Sequence, residues 1–169
     1  MFFSRAINQI NVTLASVIRW FSLIMVLTTM IIVLLRYVFE TGAIALQELV
    51  MYLHGFMFLL GIPYGVHKQT HVRVDMIYNR LSHQGKRLVD LAGHILFLLP
   101  TALFIFWVSL PYVQSSWQVL EGSAEVGGLP FIYILKTTLP VFAALLVLQA
   151  LSEIVQSFQQ LRYTPITDE

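Results

Sequence analysis

Apolar positions in this chain come in blocks too long and too continuous for a soluble fold. The first block runs from about residue 17 to 39, through "FSLIMVLTTMIIVLL", and the second from about 44 to 66, through "LVMYLHGFMFLLGIPYG". The third covers about 91 to 113, through "ILFLLPTALFIFWVSLPYV", and the fourth about 129 to 154, through "FIYILKTTLPVFAALLVLQAL". A membrane-spanning helix needs roughly 20 mostly apolar residues at about 1.5 Å rise each, and every block meets that length. A cleaved signal peptide does not account for the first block. Its apolar stretch exceeds the usual core of about 7 to 15 residues, and no small-x-small cleavage site precedes Arg36. The polar stretch between the second and third blocks is patterned too. Val74, Ile77 and Leu81 recur at three- and four-residue spacing, while Asp75, Asn79, Arg80 and Ser82 fall elsewhere on the turn. This predicts a short amphipathic helix over about 72–82, lying along the membrane surface and ended by "SHQG" at 82–85. The predicted fold is an all-α integral membrane protein. It is one domain over 1–169, with four transmembrane helices and one interfacial helix in the central loop.

Composition agrees and narrows the classes. Hydrophobic residues make up 57% of the chain and charged residues 11%, with a mean hydropathy of +0.76. A soluble domain carries about 25% charged residues, so most of this surface must face lipid or another membrane protein. The net charge of +1 carries no basic stripe interleaved with aromatics, so nucleic acid is not an expected partner. There are no cysteines, which removes disulfides, thiolate metal sites and cysteine nucleophiles. Orientation follows from the basic residues of short loops, which collect on the cytoplasmic side. With four spans, the termini and the central loop share one side. That side holds Arg5, Arg19, Lys68, Arg73, Arg80, Lys86, Arg87 and Arg162, eight of the ten lysines and arginines. Both termini are therefore expected in the cytoplasm. Arg19, Lys68, Arg73, Arg80, Lys86 and Arg87 are expected to meet lipid headgroups; Arg19, inside the first span, reaches them by its long stem.

The remaining polar residues near the membrane are few. Lys136 lies about seven residues, roughly 10 Å, into the fourth span from its outer end, deep enough to need a carboxylate partner or an interface role. Arg36 and Glu48 flank the outer turn between the first two spans, and pairing within the chain is the simplest reading. Glu48 sits too near the membrane edge to be the central carboxylate of a small four-helix exporter. Pro63, Pro100, Pro111 and Pro140 fall in or at the ends of spans, where membrane helices tolerate them. His54 and His94 lie at mismatched depths, so they do not form the facing pair that bis-histidine haem ligation needs. His67 and His71 are spaced i, i+4 and lie on one side with His94, at a charged and wet boundary without a carboxylate set. No metal or cofactor is expected, although a haem-bearing anchor for a quinone-linked redox enzyme stands as the alternative reading. The chain has no phosphate-binding glycine loop, nucleophile elbow or zinc signature, and no paired carboxylates at mid-membrane. An enzyme is not expected.

The order of motifs resembles the small membrane subunit of tripartite ATP-independent periplasmic (TRAP) transporters. "RYVFETG" at 36–42 is followed by "LQELVMYLHGFMFLLGIPYGVHKQTHVRVDMI" at 46–77. Arg36, Glu48, Gly61, His71, Val74 and Asp75 match that family's signature positions. "GGLPFIYILKTTLP" is similar to the family's Gly-x-x-Pro entry to the last span, through Gly127 or Gly128 and Pro130. Leu46, Gln47 and Thr70 depart from the family's usual residues. The resemblance implies a sodium-driven importer of organic acids, of the C4-dicarboxylate or sialic-acid type, in the bacterial inner membrane. The small subunit would be a scaffold for a large, multi-span elevator subunit and part of the face on which a periplasmic binding protein docks. Arg36, Glu48, Gly61, His71, Asp75, Pro130 and Lys136 would then serve the subunit interface or structure, with His71 and Asp75 fixing the interfacial arm. Glu121 and Glu125 are the expected contacts to the binding protein.

Overall fold

A computed structural model describes residues 2–68 and 81–163 of the chain. Most of these residues are helical, and no strand occurs among them. Helix α1 runs Phe2–Tyr37 and α2 runs Ile44–His67. A third rod follows in three parts: α3 (His83–Gly93), one π-type turn (His94–Leu98) and α4 (Leu99–Gln118). Helix α5 runs Ile132–Tyr163. Four stretches are long and apolar enough to cross a membrane: Ser4–Tyr37, Ile44–His67, Gln84–Gln118 and Ile132–Gln159. The expected interfacial helix at about 72–82, with His71, Arg73, Asp75 and Arg80, lies outside the described residues except for its last two positions.

The helices outrun the apolar blocks. α1 begins fifteen residues before the hydrophobic run at 17, and at about 1.5 Å per residue its length is about 54 Å against a hydrocarbon core of about 30 Å. The third rod begins at His83. The break in "SHQG" is therefore Ser82 alone, which caps the new helix: its hydroxyl accepts from the Gly85 N–H at 3.1 Å, as small polar residues do at helix starts. The π-type turn has a local cause. Pro100 has no N–H and its ring crowds the carbonyl four residues back. The amide of Leu99 reaches past the α-helical acceptor to the carbonyl of His94, widening the helix by one residue before the proline.

Helix α5 is the centre of the bundle; α1, α2 and α4 all pack against it, and α1 also packs along α2. Its share of buried positions is far higher than that of the other spans. Val66, Ala102, Phe142, Ala143 and Leu146 form a buried core joining α2, α4 and α5. The inward positions of α1 step by three and four: 4, 7, 11, 14, 18, 21, 25, 28, 32 and 35 are buried or half-buried, the seam of a coiled-coil-like contact. The opposite face, with Trp20, Leu23, Leu27 and Met30, is apolar and exposed. Two glycines let backbones approach. A Cβ on Gly55 would lie 3.0 Å from Leu135 Cδ1, and one on Gly61 would lie 3.7 Å from Ile18 Cδ1, the small-residue packing typical of helices in lipid.

Candidate functional site

Two polar constellations stand out of this apolar bundle, one at each end. At the end away from the termini, the loop between α4 and α5 (residues 119–131) is tied down along its length. α4 stops with Leu120 in the left-handed region (φ 44°). The Glu121 N–H donates to Ser116 O at 3.0 Å and the Leu120 N–H to Trp117 O at 3.2 Å, the two bonds of a Schellman cap. Further on, Gly128 N–H donates to Glu125 O at 3.0 Å with Gly127 at φ +82°. A four-residue turn with positive φ at its third position needs glycine there. That turn projects Val126, which is 93% exposed. The loop closes on itself where Ser123 N–H donates to Leu129 O at 3.0 Å.

Glu48 holds this loop from below. Its carboxylate accepts the Ser123 hydroxyl and the Leu129 N–H, the latter at 2.6 Å. The expected partner was Arg36, but among the described residues no ion pair joins the two. Arg36 instead sits exposed in the last turn of α1, where a cation complements the helix dipole. Glu48 answers to the loop because the loop folds directly over the start of α2 and offers it an amide and a hydroxyl. Ile44, Gln47, Glu48, Met51 and Glu125 line a cavity of about 440 Å³ beside this contact. Pro130 closes the loop just ahead of α5, its Cα 3.4 Å from where a Cβ on Gly122 would be.

Lys136 finds its carboxylate in the same chain. Its ammonium donates to Glu121 at 2.5 Å and lies 4.2 Å from the centre of the Tyr112 ring. The Lys136 hydrogen bond holds the Glu121 carboxyl below its ordinary range. Beside them the Trp117 indole donates to Thr137 at 2.8 Å and packs edge-on against Tyr133, an aromatic band of the kind found at membrane–water boundaries. Of the two expected binding-protein contacts, Glu121 is thus engaged by Lys136. Glu125 is exposed, its own N–H donating to Ser123 Oγ at 3.0 Å.

The second constellation escaped the sequence reading. Near the termini, Gln149 is fully buried and Asn11 is 1% exposed. Asn11 Nδ2 donates to Gln149 Oε1 at 2.7 Å. Gln149 Nε2 donates both to Asn8 Oδ1 at 3.2 Å and to Glu153 Oε1 at 2.7 Å. The same Glu153 oxygen lies 3.8 Å from His67 Nδ1. One cluster therefore links α1, α5 and the end of α2. Of its members only His67 drew notice, and as a candidate ligand, because polar residues near the ends of apolar runs are ordinary; only the amide at 149, well inside α5, was an anomaly in the sequence.

The other expected residues are placed without a shared site. Gly61 packs on Ile18. Arg19 is exposed beside the Trp20 ring, 5.9 Å from its centre, and Lys68 lies 6.0 Å from the centre of the Tyr64 ring. Lys86 and Arg87 lie half-buried on α3. His54 stacks on Phe58 with centroids 6.3 Å apart, and His94 opens the π-type turn. Among the described residues no group of three or more His, Cys, Asp or Glu could hold a metal ion.

A family model described as "Tripartite ATP-independent periplasmic transporters, DctQ component" matches residues 25–160. No curated protein and no solved structure matches the chain.

Proposed function

This chain belongs to the DctQ component family of the tripartite ATP-independent periplasmic transporters, and we propose that within such an importer it is the static scaffold rather than the moving part. As a member of that family it is a small membrane subunit of a transporter, not an enzyme, and a multi-pass membrane protein. The family match lends no support to the alternative of a haem-bearing anchor.

In this reading the termini face the cytoplasm and the 119–131 loop faces the periplasm. A large multi-span permease subunit carries the sodium and organic-acid sites and moves against the apolar outer face of α1. A periplasmic binding protein docks over the loop, with the exposed Glu125 among its contacts. One observation carries the proposal: three polar groups that enter the apolar bundle, Lys136, Glu48 and Gln149, are spent on holding it together. Lys136 holds Glu121, Glu48 holds the loop, and Gln149 holds α1 to α5. A transporter's solute site keeps such groups free to meet the solute.

Reconstituting the permease subunit with and without this chain tests the role. Binding-protein-dependent uptake should vanish without it, and sodium-driven uptake that proceeds normally in its absence would overturn the proposal. Glu125→Lys tests the docking face: uptake should fall when binding protein is limiting and recover when it is in excess. An unchanged rate at every concentration removes Glu125 from the contact.

A further inference from the structure

We propose that Gln149 is a register pin, the group that sets the height of α1 in the bundle, against α5 and against α2, whose end His67 ties to the same cluster. It rests on the scaffold reading only for the purpose of that fixed height. The inward stripe of α1 repeats in steps of three and four over its whole length. A stripe of that kind, apolar but for Asn11 and the small hydroxyls of Ser4 and Thr28, is largely self-similar: moved along its partner by one turn or by seven residues, it again presents mostly apolar side chains to apolar side chains. Surrounding lipid is as apolar as the seam, so no hydrophobic penalty opposes such a slide. Packing of individual side chains discriminates weakly between neighbouring registers.

The polar cluster discriminates strongly. Asn11 occupies a seam position, and its amide meets Gln149 at 2.7 Å in a site from which solvent is excluded. Gln149 spends both faces of its amide at once. It accepts from Asn11, and it donates to Asn8 one turn away on α1 and to Glu153 one turn on along α5. Sliding α1 by a single turn would strand these groups in an apolar interior, where an unpaired amide is costly. A buried asparagine at one seam position fixes register in water-soluble coiled coils by the same logic. His67, 3.8 Å from the Glu153 carboxylate, brings the end of α2 to the same point. All three helices are thereby referred to one height.

The absence of cysteine makes the test direct. Ile18→Cys with Gly61→Cys reports the native register, since these two positions face each other across α1 and α2. Ile18→Cys with Met57→Cys, or with Tyr64→Cys, reports a slide of one turn either way. Oxidative crosslinking is carried out on the full chain in native membranes alongside its permease partner. With Gln149 present, the 18–61 product should dominate. In Gln149→Leu and in Asn11→Leu it should fall several-fold while the off-register products rise. The exchange Asn11→Gln with Gln149→Asn, which keeps the pair and its combined reach, should restore the single product. Persistence of the 18–61 product alone in both leucine variants overturns the proposal. Should the leucine variants fail to accumulate, the exchange decides: recovered accumulation with the native crosslink supports the pin, and no recovery rejects it. The crosslink is read on this chain whatever uptake does, so its failure is separate from failure of the scaffold role.

Discussion

A methyl group on Gly128 would lie 2.7 Å from Glu48 Oε1 and closer still to the Ser123 side chain. Gly128→Ala must therefore push the carboxylate away from the Leu129 amide it accepts from. We expect a loss of about 1–3 kcal/mol, the usual cost of forcing atoms into a filled site. It is measured as a lower thermal midpoint in detergent together with faster proteolysis within 119–131. Glu121 gives an acid signature. Its carboxyl is held below its ordinary range chiefly by the Lys136 ammonium, so the folded chain binds that proton less readily than the unfolded one. The stabilisation is complete above the ordinary carboxylate range and is lost as pH falls through the lowered value. Trp117, bonded to Thr137 beside Lys136, should report the loss as an acid-side fluorescence change in a Trp20→Phe, Trp107→Phe background. Glu121→Gln should abolish that change.

Whole helices show where sequence patterning suffices and where it stops. Four apolar blocks predict four spans because a length of hydrocarbon leaves few other folds available to a chain. The same blocks understate α1, whose first fifteen residues are helical yet mixed in character, and they give no hint of the turn before Pro100. Glu48 and Lys136 were conspicuous as charges in or near apolar runs. The pairings were not, even with Glu121 singled out for another role, because Glu121, Ser123 and Leu129 lie in a loop whose path follows from Gly127 and the cap of α4. That cap carries a measurable strain: Leu120 occupies a backbone region that suits glycine. Relief of about 1–2 kcal/mol of left-handed strain, less about 0.5–1 kcal/mol for the greater freedom of an unfolded glycine, leaves Leu120→Gly more stable by about 0.5–1 kcal/mol, seen as a higher thermal midpoint with the rest of the loop unchanged. A lower midpoint would mean that the exposed leucine side chain itself holds the structure.

For the molecule as a whole, close approach of backbones matters as much as apolar area. A Cβ on Gly55 already meets Leu135 at 3.0 Å, so Gly55→Val should wedge α2 off α5 and cost about 1–3 kcal/mol. Gly61→Ala, with 3.7 Å of room, should be nearly silent. Detergent melting of the two variants side by side checks the contrast. The central place of α5 also bears on how the chain is made. The helix that every other span leans on leaves the ribosome after all of them. α1 and α2 can pair as soon as both are inserted, but α4 packs chiefly on α5 and must wait in the bilayer, its serines at 109 and 116 without the neighbour that buries them. Assembly of these four spans then waits on one late docking event. A polypeptide halted before residue 132 would leave its third rod exposed to membrane quality control, while its first hairpin survives.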